Sequence, residues 1–339
     1  MGTLYIDRKE LTIKLDGNAI AFYINGEREG IVPIKPLDRV VVTGSVNIET
    51  SVINRLCDEN ISMIFLSGRR MRFHGILHGS LHNNGSLRVK QYEKSLIPAF
   101  AVDISHDMVN RKIKAQSHLL EDALLNRPDL RLPLTTAIGT LNKIKDSLYG
   151  FAMKFSNSDL KSFEGVLDSI RGYEGSAAAA YFSAYTKLFA PSLNFTGRNK
   201  RPPRDPVNAI LSLSYTLLHY EAVREIELIG LDPTIGFYHQ FDYGRESLAS
   251  DLIEPLRPSI DRLVKEAFRE KVFTERDFNY SVEKPGCYLK KGGRGRFYPL
   301  YEDWARELRP EIVSEVRTLA SKILDKSESD IKTETMENE

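Results

Sequence analysis

The apolar residues of this chain change period about a third of the way along, and that change limits what it can fold into. Residues 1–95 carry short apolar runs cut by turn signals. Leu11-Thr12-Ile13-Lys14-Leu15 alternates apolar and polar before Asp16-Gly17, and Ala19 to Ile24 leads into Asn25-Gly26. Both dipeptides are hairpin signals between alternating runs. Ile31 to Ile34, Arg39 to Thr43, Ile61 to Leu66 and Phe73 to Leu77 read as further strands. Ile48, Val52, Ile53 and Leu56 fall at helical spacing with Asn47 as a candidate cap. From about Phe100 the period becomes helical: Val109, Ile113, Leu119, Leu120 and Ala123 trace one amphipathic helix. Leu160 to Ile170, Ala177 to Leu188, Asn208 to Ile229, Pro258 to Phe268 and Pro310 to Leu324 continue the pattern. The chain therefore reads as α+β. A small β-rich, sandwich-like domain at 1–95 is joined by a linker at 96–105, around Leu96-Ile97-Pro98, to a larger mostly α-helical domain at 106–324.

Composition narrows the function classes. No apolar stretch approaches the ~18 residues a membrane span needs, and Met1 to Asp7 reads as a strand rather than a signal peptide. The two cysteines, Cys57 and Cys287, form no CxxC pair, which argues against a disulfide framework or thiolate zinc site and fits a reducing cytoplasm. Net charge is only +1, but the segment 325–339 holds six acids against Lys326 and Lys332. That acidic segment lacks aromatics and reads as disordered.

Three acids and one histidine carry the candidate chemistry. His239 ends Gly236-Phe237-Tyr238-His239, just ahead of Ser247-Leu248-Ala249-Ser250-Asp251-Leu252-Ile253-Glu254. Asp251 and Glu254 are three apart and share a face on a helix, and Pro255 frees the Asp251 carbonyl and favours a bend. Glu174 lies in Arg171-Gly172-Tyr173-Glu174-Gly175, beside small and aromatic residues. An imidazole with carboxylate oxygens suits Mn²⁺ or Mg²⁺. Each has a plainer reading: Glu174 as a helix-dipole acid or an Arg171 partner, and Asp251 as a partner of Arg257 or Arg262. The spaced His74, His78 and His82 sit among strand and turn residues and are discounted. Two basic stretches remain. One holds Lys187, Arg198, Lys200, Arg201 and Arg204 around Pro202-Pro203; the other holds Lys284, Lys290, Lys291, Arg294 and Arg296 among Gly286, Gly292, Gly293 and Gly295. As flexible loops with interleaved aromatics they suit a phosphate backbone and unstacked bases; the plain alternative is two solvated loops.

Taken in order, these fragments resemble the CRISPR-associated integrase-nuclease family Cas1 over nearly the whole chain. The carrying residues are Arg171-Gly172-Tyr173-Glu174-Gly175 with Tyr181-Phe182, then Gly197-Arg198, Arg201-Pro202-Pro203, Asp205-Pro206 and Asn208-Ala209. Gly236-Phe237-Tyr238-His239, Gly244-Arg245, Ser247-Leu248-Ala249, Asp251-Leu252, Glu254 and Arg257-Pro258 complete the set. The resemblance implies that the helical domain is catalytic. It also implies a divalent metal, Mg²⁺ or Mn²⁺, on Glu174, His239 and Glu254, with Asp251 either a second ligand or a supporting acid. Asn208 is implied to support the site. Arg245 is implied to contact DNA phosphate, alongside Lys187, Arg198, Arg201, Arg204, Lys290, Arg294 and Arg296. The implied reaction joins 3′-hydroxyl ends of short spacer DNA to a CRISPR repeat by transesterification, with hydrolysis of linear or branched DNA when water replaces the hydroxyl. The implied assembly is a homodimer paired through the β-rich domains and joined by the small partner Cas2. A repair nuclease for branched DNA and a non-catalytic DNA-binding scaffold are the rival expectations.

Overall fold

A computed structural model describes residues 2–67, 73–79, 85–155, 163–199, 202–239, 244–280 and 286–325. The chain divides into two compact units, Met1–Asn83 with Arg294–Leu308, and Asn84–Gly293 with Arg309–Glu339.

The first unit contains β1 (Gly2–Ile6), β2 (Thr12–Asp16), β3 (Ala19–Ile24), β4 (Glu27–Pro33), β5 (Leu37–Val42), β6 (Asn47–Ile48), α1 (Thr50–Asp58), β7 (Ser62–Leu66) and β8 (Phe73–Leu77). Among the described residues the strands form two four-stranded sheets, ordered β1-β5-β7-β8 and β4-β3-β2-β6. The Asn25-Gly26 turn joins β3 to β4 with both residues at positive φ (51° and 86°), the geometry of a type I′ hairpin. Alternation puts Ile13 and Ile20 inward, where they pack with Ile6, Val40, Val42, Val52, Leu56 and Met63 from both sheets and α1. Val40, Val41 and Val42 are all buried; their strand runs parallel to both neighbours, as expected of a strand covered on both faces. The expected cap Asn47 is instead in β6, and α1 starts one turn later.

The second unit contains α2 (Gly85–Ser95), α3 (Pro98–Asn126), α4 (Arg131–Phe155), α5 (Phe163–Tyr185), α6 (Pro206–Ile229), α7 (Ser247–Ile253), α8 (Arg257–Arg269), β9 (Phe278–Tyr280), β10 (Cys287–Leu289) and the two ends of α9 (Lys291–Leu324). Helices α3, α4 and α5 pack against one another. The buried face of α3 runs Ala101, Ser105, Met108, Lys112, Gln116, Leu119 and Ala123, a helical stripe. The fold class is the α+β arrangement expected, strands first and helices after.

Two expectations shift. The boundary does not fall at 95: α2 clusters with the second unit, and residues of the expected linker from Pro98 onward are helical. Pro98 looked like a hinge, but it occupies the first turn of α3, where a missing N–H costs nothing. The glycine-rich run Gly292-Gly293-Arg294-Gly295 is not a loop but the start of α9. Phe297 and Tyr301, both fully buried and stacked at 5.9 Å, supply packing that outweighs the ~1 kcal/mol each glycine costs a helix. The acidic segment beyond Asp325 lies outside the described residues. Among the described residues no helix is long and apolar enough to cross a membrane.

Candidate active site

Pro255 shapes the local geometry. It has no N–H, so α7 ends at Ile253 and the chain tightens into a 3-10 turn over Glu254–Leu256 before α8. The freed carbonyl of Asp251 accepts from the Glu254 N–H instead. The two acids, both buried, then take different partners.

Asp251 faces the loop that carries His239. Its Oδ2 accepts from the backbone N–H of Phe237 (2.7 Å) and Tyr238 (3.0 Å). Its Oδ1 accepts from the N–H of His239 (2.9 Å) and pairs with His239 Nδ1 at 2.7 Å. A carboxylate only accepts, so Nδ1 carries a proton, and in the neutral ring Nε2 is the nitrogen left with a lone pair. Gly236 makes the close approach possible: a Cβ there would lie 2.8 Å from Asp251 Oδ2, from the His239 carbonyl oxygen and from the Ser247 carbonyl carbon. From the other side Gln91, fully buried, donates Nε2 to the carbonyls of Asp232 and Ile235, both at 2.9 Å, and accepts from the Asp232 N–H. Arg171 donates to the Tyr238 carbonyl at 3.0 Å. These bonds fix the loop from both sides.

Glu254 faces a lysine. Lys112, on the buried stripe of α3, donates Nζ to Glu254 Oε2 at 2.6 Å and also to Glu174 Oε1. Glu174 lies eleven residues into α5, on the line of buried residues through Ile170, Ala177 and Tyr181. It is neither at a helix start nor paired with Arg171, which binds Asp168 instead. The side chains of Lys112 and Glu254 are 10% and 7% exposed, so the pair is screened little. Burial pushes the Glu254 carboxyl up, but Arg257 (3.1 Å from Oε1) and Lys112 outweigh it and hold the group down at about 2. Burial works to lower the Lys112 pKa, and Glu254 and Glu174 more than reverse it. Tyr238 is raised by burial and then by the charges of Glu174 and Glu254, which places its ring near both acids.

The expected ligand trio is thus not gathered. Among the described residues no set of three His, Cys, Asp or Glu side chains is arranged to hold a metal. Lys112 has taken the two glutamates, and Asp251 one nitrogen of His239. Neither Arg257 nor Arg262 pairs with Asp251; they bind Glu254 and Asp122.

Arg257 continues into a second buried network. Its guanidinium lies 5.1 Å from the centre of the Tyr215 ring, and that of Arg198 lies 5.3 Å from the same ring. Tyr215 donates to Asp261 Oδ1, Tyr181 donates to Oδ2 at 2.8 Å, and Tyr185 donates to the Asp261 carbonyl at 2.8 Å. Burial raises the Asp261 carboxyl to about 6 despite the tyrosine hydroxyls. Asn208, fully buried, accepts from Arg198 (2.7 Å) and the Asn199 N–H (3.0 Å) and donates to Gly197 O and Asp205 Oδ2. It therefore organises the loop before α6 and the Asp205 cap.

The basic residues differ in burial and in what holds them. Arg198 is turned inward to Asn208, Ser212 and the Tyr215 ring. Arg294 belongs to the first unit, bound to Asp7 at 2.6 Å. Lys187, Arg204, Lys290 and Arg296 are exposed, Lys290 with its Nζ on the Arg276 carbonyl. Arg245 is half-buried at the entry to α7. Arg201, Lys200, Lys284 and His82 lie outside the described residues.

Sequence reasoning missed Lys112, Gln91 and the Asp261 network. A signal for Lys112 was present: it lies three residues after Val109 and one before Ile113, a cation on the apolar stripe of a helix.

Residues 4–303 match the model of the family described as CRISPR associated protein Cas1. The chain is 48% identical over 328 residues to "CRISPR-associated endonuclease Cas1 1" of Thermodesulfovibrio yellowstonii, covering 97% of this chain and 99% of that one. Its fold is similar to that of a CAS1 protein from Thermotoga maritima, with a TM-score of 0.77 at 23% identity over 96% of this chain and 98% of that one. It is also similar to a casposase bound to integration product, with a TM-score of 0.76 at 19% identity over 95% and 91% of the two chains.

Proposed function

The chain belongs to the CRISPR-associated Cas1 family, and on that premise we propose that it is a divalent-metal-dependent DNA integrase and endonuclease of CRISPR adaptation. The observation that carries the proposal is the convergence of Glu174 and Glu254, from separate helical elements, on one buried cation, with the His239 imidazole, held at Nδ1 by Asp251, within electrostatic range of Glu254. Two carboxylates that already share a positive charge suit a divalent cation in donor chemistry, and a neutral imidazole adds a nitrogen. His239 is near enough to Glu254 for its protonated ring to help lower the Glu254 carboxyl, and without that second proton the same ring offers Nε2. Glu174, Glu254 and His239 Nε2 would hold Mg²⁺ or Mn²⁺. Asp251 is then the residue that orients His239, and not a ligand, because its oxygens already serve four donors.

When bound, the metal ion polarises the scissile phosphate and stabilises charge on its oxygens. In the reaction the 3′-hydroxyl of the incoming strand attacks a repeat phosphodiester. One P–O bond forms as another breaks, so no ATP is needed. Arg257 holds one oxygen of Glu254, leaving the other to face the shared cation position. Lys187, Arg204 and Lys290, with Arg245, supply positive field for the DNA backbone. Water as nucleophile at the same site gives hydrolysis of linear or branched DNA. Joining both ends of a spacer needs two active sites at fixed separation, which a homodimer bound to Cas2 provides. The likeness to a casposase bound to integration product supports strand transfer over hydrolysis alone.

The test is a half-site integration assay with Mn²⁺ and a repeat-containing duplex. Glu174→Ala and His239→Ala should each abolish strand transfer and leave DNA binding largely intact. Activity in both variants would overturn the site. Cutting of junctions without joining would favour a repair nuclease, and the absence of any metal-dependent activity would favour a scaffold.

A further inference from the structure

Resting on the assignment of Glu174, Glu254 and His239 as cation ligands, we propose that Lys112 is the built-in counter-cation of the site. Its ammonium holds the two glutamates together in the metal-free protein, and it must leave at least one of them before a divalent cation can seat.

Position, burial and charge support this. Lys112 projects from the core-facing stripe of α3, flanked along the helix by Met108, Val109 and Ile113, all buried. A lysine on such a face is expelled from the core unless it is paired, and here both partners are ligand candidates. The groups that meet at this point are Glu174, Glu254, Lys112 and Arg257, two negative and two positive. The cluster is therefore neutral without metal. A divalent ion added with the ammonium still in place would leave it with two excess positive charges in a poorly screened position. Arg257 cannot yield instead: it holds the other oxygen of Glu254 and is seated against the Tyr215 ring. Lys112, with its long flexible stem and single ammonium, is the group free to move. The same bridge explains how the half-buried Glu174 and the buried Glu254 stay together, because without Lys112 only Arg257, on Glu254, would offset their two like charges.

The experiment uses the full-length chain. Mn²⁺ binding is measured by calorimetry, and Mn²⁺-induced thermal shift is followed for wild type, Lys112→Met and Lys112→Arg. Lys112→Met should bind Mn²⁺ at least tenfold more tightly than wild type. It should also unfold at lower temperature without metal and gain more than wild type when Mn²⁺ is added. Lys112→Arg, which keeps the charge, should bind no more tightly than wild type. Equal or weaker Mn²⁺ binding by folded Lys112→Met would overturn the proposal. If that variant does not fold, wild-type amine labelling read by mass spectrometry decides: modification of Lys112 should rise several-fold on adding Mn²⁺, and an unchanged rate overturns the proposal. Mn²⁺ binding that survives Glu174→Ala unchanged, or is absent from wild type, would overturn the ligand assignment itself. Binding that needs Glu174 but ignores Lys112 would overturn only the counter-cation.

Discussion

Asp251→Asn is nearly isosteric, yet it should cripple the site. The wild-type carboxylate is 3% exposed and accepts from four donors, the N–H groups of Phe237, Tyr238 and His239 and the imidazole Nδ1. An amide keeps one acceptor oxygen. The other atom becomes an NH₂ that points at donors it cannot serve. Two charge-assisted bonds are lost, each worth about 1.5–3 kcal/mol, so the cost is about 3 kcal/mol at the low end of that range. For a unit of this size that is a fall of roughly 6–12 °C in unfolding temperature. The functional loss depends on which way the amide turns. If its oxygen stays with Phe237 and Tyr238, His239 loses the partner that sets its tautomer, and Mn²⁺ affinity should fall about 10–100-fold, as for other residues that orient a metal-bound histidine. If the oxygen stays with His239, the loop N–H groups are orphaned and stability takes most of the loss. Thermal unfolding and Mn²⁺ titration on the same preparation separate the two. A variant within about 0.5 kcal/mol of wild type, the usual effect of an ordinary surface change, and with unchanged Mn²⁺ affinity would refute the role given to Asp251.

Three further outcomes follow from the geometry and the buried charges. Gly236→Ala pushes a methyl group to within 2.8 Å of Asp251 Oδ2 and of two backbone atoms; the loop must shift, at about 1–3 kcal/mol, with weaker Mn²⁺ binding, and an unchanged melting curve would contradict the cradle. Asp261 titrates near 6 in the folded chain against an ordinary 3.8, so the folded state binds its proton more tightly. That stabilisation is complete below the ordinary value and lost as pH rises through about 6, an effect of about 3 kcal/mol at 1.36 kcal/mol per unit. Urea unfolding between pH 4.5 and 7 should show the loss in wild type and not in Asp261→Asn. The Glu254 contribution has the opposite sign: it is present above the ordinary 4.5 and lost as pH falls toward about 2. Glu254→Gln should therefore flatten the acid limb below pH 4.5, read by the same unfolding measurement.

The sequence by itself determined the two-part character of the chain, because the period of apolar residues is set by backbone geometry. Alternation can bury one face only of a strand, and the 3.6-residue period one face only of a helix. It also singled out Glu174, His239, Asp251 and Glu254 as candidates, from local runs such as Gly236 to His239 and from the family resemblance. It missed α4 and extended the glycine-rich loop into what is the start of α9, because burial of Phe297 and Tyr301 overrides glycine's helix cost, and burial is not a local property. Only the tertiary structure separated Asp251 from Glu254. Three residues apart on one segment, they look interchangeable. Their roles are set by what faces them, a loop of N–H donors for one and Lys112 with Arg257 for the other. The same holds for Arg198 and Arg294, which read as DNA-facing cations but are committed to Asn208 and Asp7. Charge type is written in the sequence; the partner that neutralises it, 62 residues away for Glu174 and 142 for Glu254, exists only once the chain has folded.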